Sequence, residues 1–355
     1  MDQVYRAAIV GCGRMGFLFD EDPLIKGPVS HAAGYKASSR TQLVAVCDID
    51  KDKAEQLAKK YGVEKVYTSY IDMLANESLD MVSVCTPPDA HAEVVIAAAR
   101  KRVKGIFCEK PIAPSLKEAD AMIEACKASE SVLMINHSRR WDTNFQYVED
   151  QIEKRTVGEI DLVNAFSTVG LLNGGTHVFD LLRMYLGNAI SVSGCLLPDA
   201  STDPGARGTI TFENGVTCFF DASWRRYVLF ELQIYGQKGM MRAGGMVRAE
   251  KAVELFFGKE SKNESGILEL EKADTGDLQS APLILNAIDN LARAIERKET
   301  VRCSGEDGRA SLQIAMAFHA SEDRGGQTVQ LPLKDRGRYV KARETSFTKD
   351  GLLKR

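Results

Sequence analysis

The stretch Gly11-Cys12-Gly13-Arg14-Met15-Gly16 directly follows an apolar run, Ala7–Val10, near the start of the chain. A G-x-G-x-x-G sequence between a strand and a helix is typical of dinucleotide-binding turns. The first glycine permits a tight turn, the second lets the backbone approach a pyrophosphate, and the third allows a helix to pack closely on the strand. Free N–H groups at the helix N-terminus would then face the phosphates. The cofactor-binding residues predicted from this turn are Gly11, Gly13, Arg14, Met15 and Gly16.

The hydrophobic pattern changes after Trp141. Before it, apolar runs such as Asp80–Cys85 and Gly105–Cys108 alternate with helical segments, which predicts βαβ units and a parallel sheet. After it, period-2 runs follow one another without helices between them, which predicts a largely antiparallel sheet. The candidate strands of that second sheet are Ile160–Thr168, Ile190–Cys195, Gly208–Phe212, Val216–Ser223, Phe230–Tyr235 and Val253–Phe257.

Two domains and a tail follow from this change of pattern. We expect a first domain over residues 1–140 and a second over residues 141–333, the latter closed by helices at Leu283–Arg297 and Glu306–Ser321. The charged tail, residues 334–355, is expected to be poorly packed or to form an oligomer arm.

The composition excludes several classes of protein. The chain has 355 residues and a net charge of −3, which argues against a surface dedicated to nucleic acid or to anionic membrane. No apolar run is long enough to predict a membrane-spanning helix. The eight cysteines are scattered without a C-x-x-C pair, so we expect reduced thiols, a cytoplasmic location and no metal site.

Asp48 ends the second apolar run and favours NAD over NADP. An acidic side chain there accepts hydrogen bonds from the ribose hydroxyls and repels a 2′-phosphate. Its spacing from Gly11 is longer than usual, and we attribute the excess to an insertion, Phe17–Ser30, after which a helical pattern resumes at His31. The acidic residues of the insertion either reach the mouth of the site or form a solvated loop.

The carboxyl ends of two further runs carry polar residues. In open α/β sheets this edge is where ligands bind. Lys110, held before a proline, has the chemistry to stabilise a developing alkoxide, although a single loop lysine is more often solvated. His91 either faces the cofactor or serves as a surface or capping residue. The residues expected at the cofactor on this edge are Thr86, Pro87, His91, Glu109 and Lys110.

With these residues the chain resembles the glucose–fructose oxidoreductase and inositol dehydrogenase family (Gfo/Idh/MocA). The resemblance implies a Rossmann domain with a doubly wound parallel sheet, followed by an α/β domain with a large open, mostly antiparallel sheet that binds substrate and supports oligomerisation. It rests on six ordered segments: GCGRMG (11–16), VAVCDID (44–50), CTPPDAH (85–91), CEKP (108–111), RRWD (139–142) and GGTHVFDLL (174–182).

The resemblance also implies roles for individual residues. Lys110 matches the lysine that contacts substrate and nicotinamide, and its bond to Pro111 is expected to be cis. His177 matches the catalytic histidine. A neutral imidazole suits removal of the hydroxyl proton, whereas the alternative is that His177 caps a helix. Asp180 matches an aspartate one turn later, which would orient the imidazole or bind a substrate hydroxyl.

The chain departs from the family pattern at Asn173, where many members have an aspartate. Asparagine binds a hydroxyl but neither takes a proton nor supplies negative charge. Arg139 and Arg140 align with a substrate-side segment. They are equally suited to bind a phosphate or carboxylate of the substrate and to form structural ion pairs.

The sequence therefore predicts an NAD-dependent dehydrogenase or reductase that acts on a CH–OH group of a sugar, inositol or nucleotide-sugar. Lys110 and His177 would be catalytic, and the small-molecule substrate would contact Asn173, Asp180, Arg139 and Arg140. Two alternatives stay open: an enzyme that recycles bound NAD while cleaving glycosides, and a regulatory protein that senses a dinucleotide. The resemblance further implies a homodimer or homotetramer.

Overall fold

The computed structural model describes residues 3–25, 27–168, 170–198, 202–223, 225, 227–245, 252–276, 278 and 281–342. The chain divides into two compact units. The first contains Met1–Trp141, Pro282–Arg309 and Arg336–Lys341, and the second is built mainly from Asp142–Ala281 and Ala310–Asp335. This division differs from the expected ranges in that Pro282–Arg309 lies with the first unit. Whether 1–140 and 141–333 fold as separate domains stays a prediction.

The first unit is a parallel sheet of six strands in the order β3-β2-β1-β4-β5-β6. Every residue of β4 and β5 is buried, as expected where helices cover both faces of a parallel sheet. The strands are β1 Tyr5–Val10, β2 Thr41–Cys47, β3 Lys65–Tyr67, β4 Met81–Val84, β5 Gly105–Cys108 and β6 Val132–Ile135.

Six helices pack in this unit, and their caps follow from the sequence. Asp50 caps α2 by accepting from the Lys53 N–H, and Gly62 ends that helix in the left-handed conformation at φ +71°. Ser115 and Glu118 form a capping box at the start of α5. The helices are α1 His31–Ala37, α2 Lys51–Tyr61, α3 Tyr70–Asn76, α4 His91–Arg100, α5 Leu116–Ser129 and α8 Leu283–Ile295.

Helix α8 joins this unit from far along the chain. A methyl group on Gly34 of α1 would lie 2.3 Å from Ile284, and one on Gly105 of β5 would lie 2.7 Å from Ile295. Both glycines therefore let α8 approach closely. Its apolar face covers the sheet at β5 and β6.

The second unit is a nine-stranded sheet in the order β14-β13-β12-β11-β7-β10-β9-β8-β15. Its described neighbours pair antiparallel except β7 and β10, which are parallel. The strands are β7 Ile160–Ser167, β8 Ala189–Leu196, β9 Ala206–Phe212, β10 Thr217–Asp221, β11 Phe230–Gly236, β12 Gly239–Gly244, β13 Val253–Glu260, β14 Leu268–Ala273 and β15 Val329–Gln330.

Helices cover one face of this sheet, and the core lies beneath them. They are α6 Thr143–Glu153, α7 Thr176–Leu186 and the part of α9 (Gly305–Glu322) from Ala310 onward. Phe179 of α7 and Phe318 of α9 pack on Phe220 of β10, with ring centroids 4.9 and 5.5 Å apart. The adjacent Phe219 faces the other way and is 52% exposed. The predicted α/β class, with a doubly wound parallel sheet and a large open, mostly antiparallel sheet, is confirmed.

Part of the tail is attached to the first unit. The Lys117 N–H donates to the Arg336 carbonyl and the Val340 N–H donates to the Pro114 carbonyl. Arg336 also pairs with Asp120 at 3.2 Å. Within Arg336–Lys341 Val340 is buried and most residues are exposed, so the expectation of a poorly packed tail or an oligomer arm stays a prediction, and 343–355 lie outside the described residues. None of the described helices is long and apolar enough to cross a membrane.

The insertion Phe17–Ser30 separates the glycine turn from α1 in sequence, but hydrogen bonds join the two. The His31 N–H donates to the Met15 carbonyl and the Ala32 N–H donates to the Gly16 carbonyl, which is the hydrogen-bond pattern of residues four apart in a helix. The glycine turn is thus hydrogen-bonded to the first turn of α1, which begins at His31 with Ser30 as its cap. Inside the insertion, Asp20 accepts from the Val29 and Ser30 N–H groups, and Glu21 pairs with Lys60 on α2. These contacts favour the loop interpretation of its acidic residues.

This geometry predicts that the insertion is removable. Deleting Leu18–Val29 leaves Phe17 and Ser30 as the two residues needed between Gly16 and His31, so thermal unfolding should shift by less than about 4 °C. Deleting Phe17–Val29 is the control, because one residue fewer rotates His31 by about 100° around the helix. Differential scanning calorimetry measures the unfolding temperatures of both deletion variants. An equal decrease in the two would contradict the conclusion that two residues suffice between Gly16 and His31.

Candidate functional site

The glycine turn is fixed by backbone contacts that leave no room for side chains. Gly11 has φ +96°, and a Cβ there would lie 2.5 Å from the Cys85 carbonyl carbon. A Cβ on Gly16 would lie 2.4 Å from the Gly11 carbonyl oxygen. These two glycines are therefore required by the protein itself, independently of any ligand.

Gly13 differs from its neighbours, because a Cβ there would meet no described atom within 4 Å. The missing side chain leaves open space in the turn, as a pyrophosphate in contact with the backbone requires. Nearby, the buried Oγ1 of Thr86, just beyond β4, has no hydrogen-bond partner among the described residues. An open cradle and an unsatisfied hydroxyl at the carboxyl edge of the sheet fit a dinucleotide.

Asp48 lies at the carboxyl end of β2, beside the glycine turn. Its Oδ2 accepts from the Cys12 N–H at 2.6 Å and its Oδ1 accepts from the Asp50 N–H at 2.9 Å. The carboxylate is half-buried. It lies at the position where an acidic side chain accepts hydrogen bonds from an adenosine ribose. Burial and this neighbouring carboxylate raise the pKa of the Cys12 thiol, which is therefore neutral.

His91 is buried and connects two loops. Its Nε2 lies 2.9 Å from the Thr86 carbonyl oxygen, and its Nδ1 lies 3.0 Å from the Pro111 carbonyl oxygen. Burial lowers the pKa of this imidazole, so the ring is neutral near pH 7. His91 thus holds together the loops that carry Thr86 and Lys110, and its ring is turned to protein carbonyls.

Lys110 follows β5 at the same edge, and its peptide bond to Pro111 is cis, which confirms the prediction. The preceding Glu109 is 7% exposed. Its carboxylate accepts from Asn136 at 2.6 Å and contacts His31 at 3.0 Å. Sequence reasoning placed Glu109 at the cofactor and assigned no role to His31.

The two arginines beyond β6 are both buried, at 8% and 7% exposure. Arg140 donates to the Arg302 carbonyl and pairs with Asp307 at 3.3 Å. Arg302 donates in return to the Arg140 carbonyl. For Arg140 these contacts favour the structural ion pair over the role in binding substrate.

In the second unit, one continuous segment carries the predicted catalytic and substrate-binding residues. Leu171–Gly175 forms a π-helical turn that leads directly into α7. Asn173 and His177 are half-buried and Asp180 is buried. Residues three positions apart on an α-helix lie on one face, so His177 and Asp180 share a face of α7, and Asn173 lies on the π-helical turn that precedes it.

Asp203 fixes the start of this segment and was missed by sequence reasoning. Its carboxylate accepts from the Leu172 N–H at 2.8 Å and from the Asn173 N–H at 3.0 Å, and it is fully buried. Gly170 passes so close that a Cβ would lie 2.3 Å from Asp203 Oδ2. The one available signal was an aspartate before a proline in the loop after β8, which is common in turns and carries no specific message.

Asp203→Ala should reduce the free energy of unfolding by about 2 kcal/mol, because two buried N–H groups lose a charged acceptor. The accompanying shift of the turn should lower activity in proportion to its displacement of Asn173 and His177. Urea unfolding measures the first effect, with Asp161→Ala on the exposed side of β7 as control. Equal stability of Asp203→Ala and the unmodified chain would contradict the role.

The glycine turn offers a matched pair of variants. Gly11→Ala should reduce the free energy of unfolding by about 3 kcal/mol through overpacking and strain. Gly13→Ala should leave it within about 0.5 kcal/mol, yet weaken NADH binding at least about tenfold by blocking the phosphates. Thermal unfolding and NADH fluorescence titration separate the two effects. Wild-type NADH affinity in Gly13→Ala would show that the dinucleotide binds elsewhere.

Family models match both units. The model for the oxidoreductase family with an NAD-binding Rossmann fold matches residues 5–137, and the GFO/IDH/MocA C-terminal domain matches residues 162–242. A myo-inositol 2-dehydrogenase of Thermotoga maritima is 24% identical over 348 residues, which cover 89% of this chain and 96% of that protein.

Solved structures share the fold. Levoglucosan dehydrogenase, solved with NADH and levoglucosan, has a TM-score of 0.78 at 20% identity and covers 93% of this chain and 100% of its own. The WlbA dehydrogenase of Bordetella pertussis, solved with NADH and UDP-GlcNAcA, has a TM-score of 0.76 at 21% identity, with 94% and 99% covered. The matched models, the two sheets and the glycine turn lead to one conclusion: the chain belongs to the Gfo/Idh/MocA family of NAD-binding oxidoreductases.

Proposed function

We propose that the chain is an NAD-dependent oxidoreductase that transfers a hydride between nicotinamide and a secondary hydroxyl or keto carbon of a sugar-like ring. The observation that carries the proposal is the open cradle at Gly13 beside Asp48, in a chain that retains both Lys110 and His177. A dinucleotide-sensing regulator has no need of the last two residues.

The reaction divides between cofactor and protein. When bound, NAD supplies the hydride acceptor. His177 takes the hydroxyl proton, for which a neutral imidazole is suited near pH 7. Lys110 stabilises the oxyanion by its positive charge. Asn173 and Asp180 orient the hydroxyls of the substrate from the segment that Asp203 fixes.

The substrate class is supported by the names of the similar proteins and by the contacts of Arg140. The names of the similar proteins include myo-inositol, levoglucosan and a UDP-linked sugar acid, which share ring carbons bearing secondary hydroxyls. Arg140 is engaged by Asp307 and the Arg302 carbonyl. This engagement favours an uncharged polyol or sugar over a nucleotide-sugar.

The assembly is proposed to be a homodimer or homotetramer that pairs through the exposed face of the nine-stranded sheet. Phe219 of β10 is 52% exposed on that face, and Phe166 lies with it along an apolar depression of about 310 Å³. Exposed apolar surface of this kind marks protein interfaces. All eight cysteines are free, which supports a reducing compartment such as the cytoplasm.

Cofactor preference tests the proposal. The unmodified chain should bind NADH at least about tenfold more tightly than NADPH, since the Asp48 carboxylate repels a 2′-phosphate. Asp48→Asn should narrow that ratio, and Asp50→Asn, which alters a helix cap on the surface, is the control. Fluorescence titration after removal of any co-purified cofactor gives the affinities. A preference for NADPH would contradict the role of Asp48.

Turnover then separates the possible activities. Reduced nicotinamide should appear when NAD and a polyol or sugar panel are added. Glycoside cleavage without added NAD and without net redox change would instead identify a cofactor-recycling enzyme. Tight binding of cofactor with no turnover of any substrate would favour the regulatory alternative.

A further inference from the structure

A chain of buried hydrogen bonds runs behind the carboxyl end of β5. The Tyr35 hydroxyl lies 2.7 Å from Ser83 Oγ, which lies 2.8 Å from His31 Nδ1. His31 Nε2 in turn lies 3.0 Å from Glu109 Oε1. Tyr35, His31 and Ser83 are at most 1% exposed. The chain ends at the residue that directly precedes Lys110.

One assignment of protons satisfies every contact in this chain. Burial raises the pKa of Tyr35, so its hydroxyl keeps its proton and donates to Ser83. Ser83 then donates to His31 Nδ1, and His31 donates from Nε2 to Glu109. The contacts of His31 fit either this Nε2 tautomer or a doubly protonated ring that donates from Nδ1 to Ser83, and in both forms Nε2 donates to Glu109.

Glu109 accepts two further hydrogen bonds. Asn136 Nδ2 donates to Oε1 at 2.6 Å, and the Lys110 backbone N–H donates to Oε2 at 3.3 Å. Burial alone would raise the pKa of Glu109, but the hydrogen bond and the charge of His31, the hydrogen bond from Asn136 and the nearby charge of Lys110 hold it below its usual value. A buried carboxylate thus stays ionised next to Lys110.

The same residue types, serine, histidine and glutamate, form the nucleophilic triad of some hydrolases. Here Ser83 is 0% exposed and its oxygen already receives the Tyr35 hydroxyl. A substrate has no route to that oxygen. The series of hydrogen bonds instead ends at the Glu109 carboxylate.

Three other titratable groups near Glu109 add no positive charge. Burial lowers the pKa of His91 on α4 and raises the pKa of the thiols of Cys85 after β4 and Cys108 on β5, so these groups are neutral near pH 7. The charges that lower the pKa of the Glu109 carboxyl are those of His31 on α1 and of Lys110.

We propose that Glu109 is a positioning residue that fixes the Lys110 backbone and keeps the Lys110 amine protonated. The carboxylate attracts the ammonium, and its hydrogen-bond chain prevents it from turning away or taking a proton. This inference rests on the proposed function only for its catalytic consequence.

The protonation of Lys110 is measurable without any turnover. In protein labelled with carbon-13 at the lysine Cε, the signal absent from Lys110→Arg identifies Lys110, and its shift follows the amine through a pH titration. With Glu109 in place the pKa of Lys110 should lie above about 10.4, the value of a free lysine. A value at or below that figure overturns the proposal.

Three variants test whether Glu109 is the cause. Glu109→Gln should lower the pKa of Lys110 by at least about one unit, whereas Glu109→Asp, which retains the charge, should restore most of it. Glu77→Gln is the matched control, because Glu77 accepts from Tyr67 and pairs with Arg6 at the amino end of the strands. An unchanged Lys110 titration in a folded Glu109→Gln overturns the proposal.

Activity provides the second readout. In Glu109→Gln the high-pH limb of the kcat profile should move to lower pH together with the Lys110 titration, while NADH affinity stays within about threefold. A fall in kcat at all pH values with no displacement of the limb would show a purely structural role. If no substrate is ever turned over, the proposed function fails, but the amine titration still decides the role of Glu109.

Discussion

The first unit depends on backbone-to-backbone contact at the glycine turn. Gly11 lies against the end of β4, and Gly16 lies against Gly11. These contacts set the height of the turn relative to Asp48 and Thr86. The turn is also hydrogen-bonded to the start of α1, from which the insertion separates it in sequence. At Gly11 and Gly16 no side chain larger than hydrogen is compatible with these contacts. The backbone around the open space at Gly13 is therefore fixed before any ligand binds.

Buried carboxylates provide a second kind of constraint, once in each unit. Glu109 collects donors from three surrounding segments and lies beside Lys110. Asp203 collects two backbone donors and fixes the turn that carries Asn173 and His177. In both cases a group with no access to substrate orients one that is proposed to contact it. Such support is the usual requirement for a site that must hold its geometry.

Much of this organisation was predictable because its signals are local. The glycine turn, the resumption of helix at His31, the cap at Asp50 and the alternation of apolar runs each depend on neighbouring residues. Three strands were missed for the same reason, and one of them, β3, is three residues long. β12 contains two terminal glycines, and β14 is a charged edge strand whose residues are almost all exposed, so neither shows a buried alternating face.

The remaining features depend on contacts between residues far apart in sequence. The placement of α8 against Gly34, the packing of Val340 beside Pro114 and the approach of Asp203 to Gly170 leave no periodic signal. His91 and Glu109 lie at the sheet edge where the cofactor is expected, and that role stays a prediction. The structure shows their polar atoms in contact with protein partners, which no spacing rule indicates.

The most direct test of the central claim follows the hydride itself. A polyol or sugar carrying deuterium at its hydroxyl-bearing ring carbons is incubated with NAD and the purified chain, and the reduced cofactor is examined by mass spectrometry. If the hydride passes directly from the ring carbon to nicotinamide, deuterium appears at the nicotinamide ring when one member of the substrate panel is oxidised. Retention of all deuterium in the substrates, with the cofactor demonstrably bound, would contradict it.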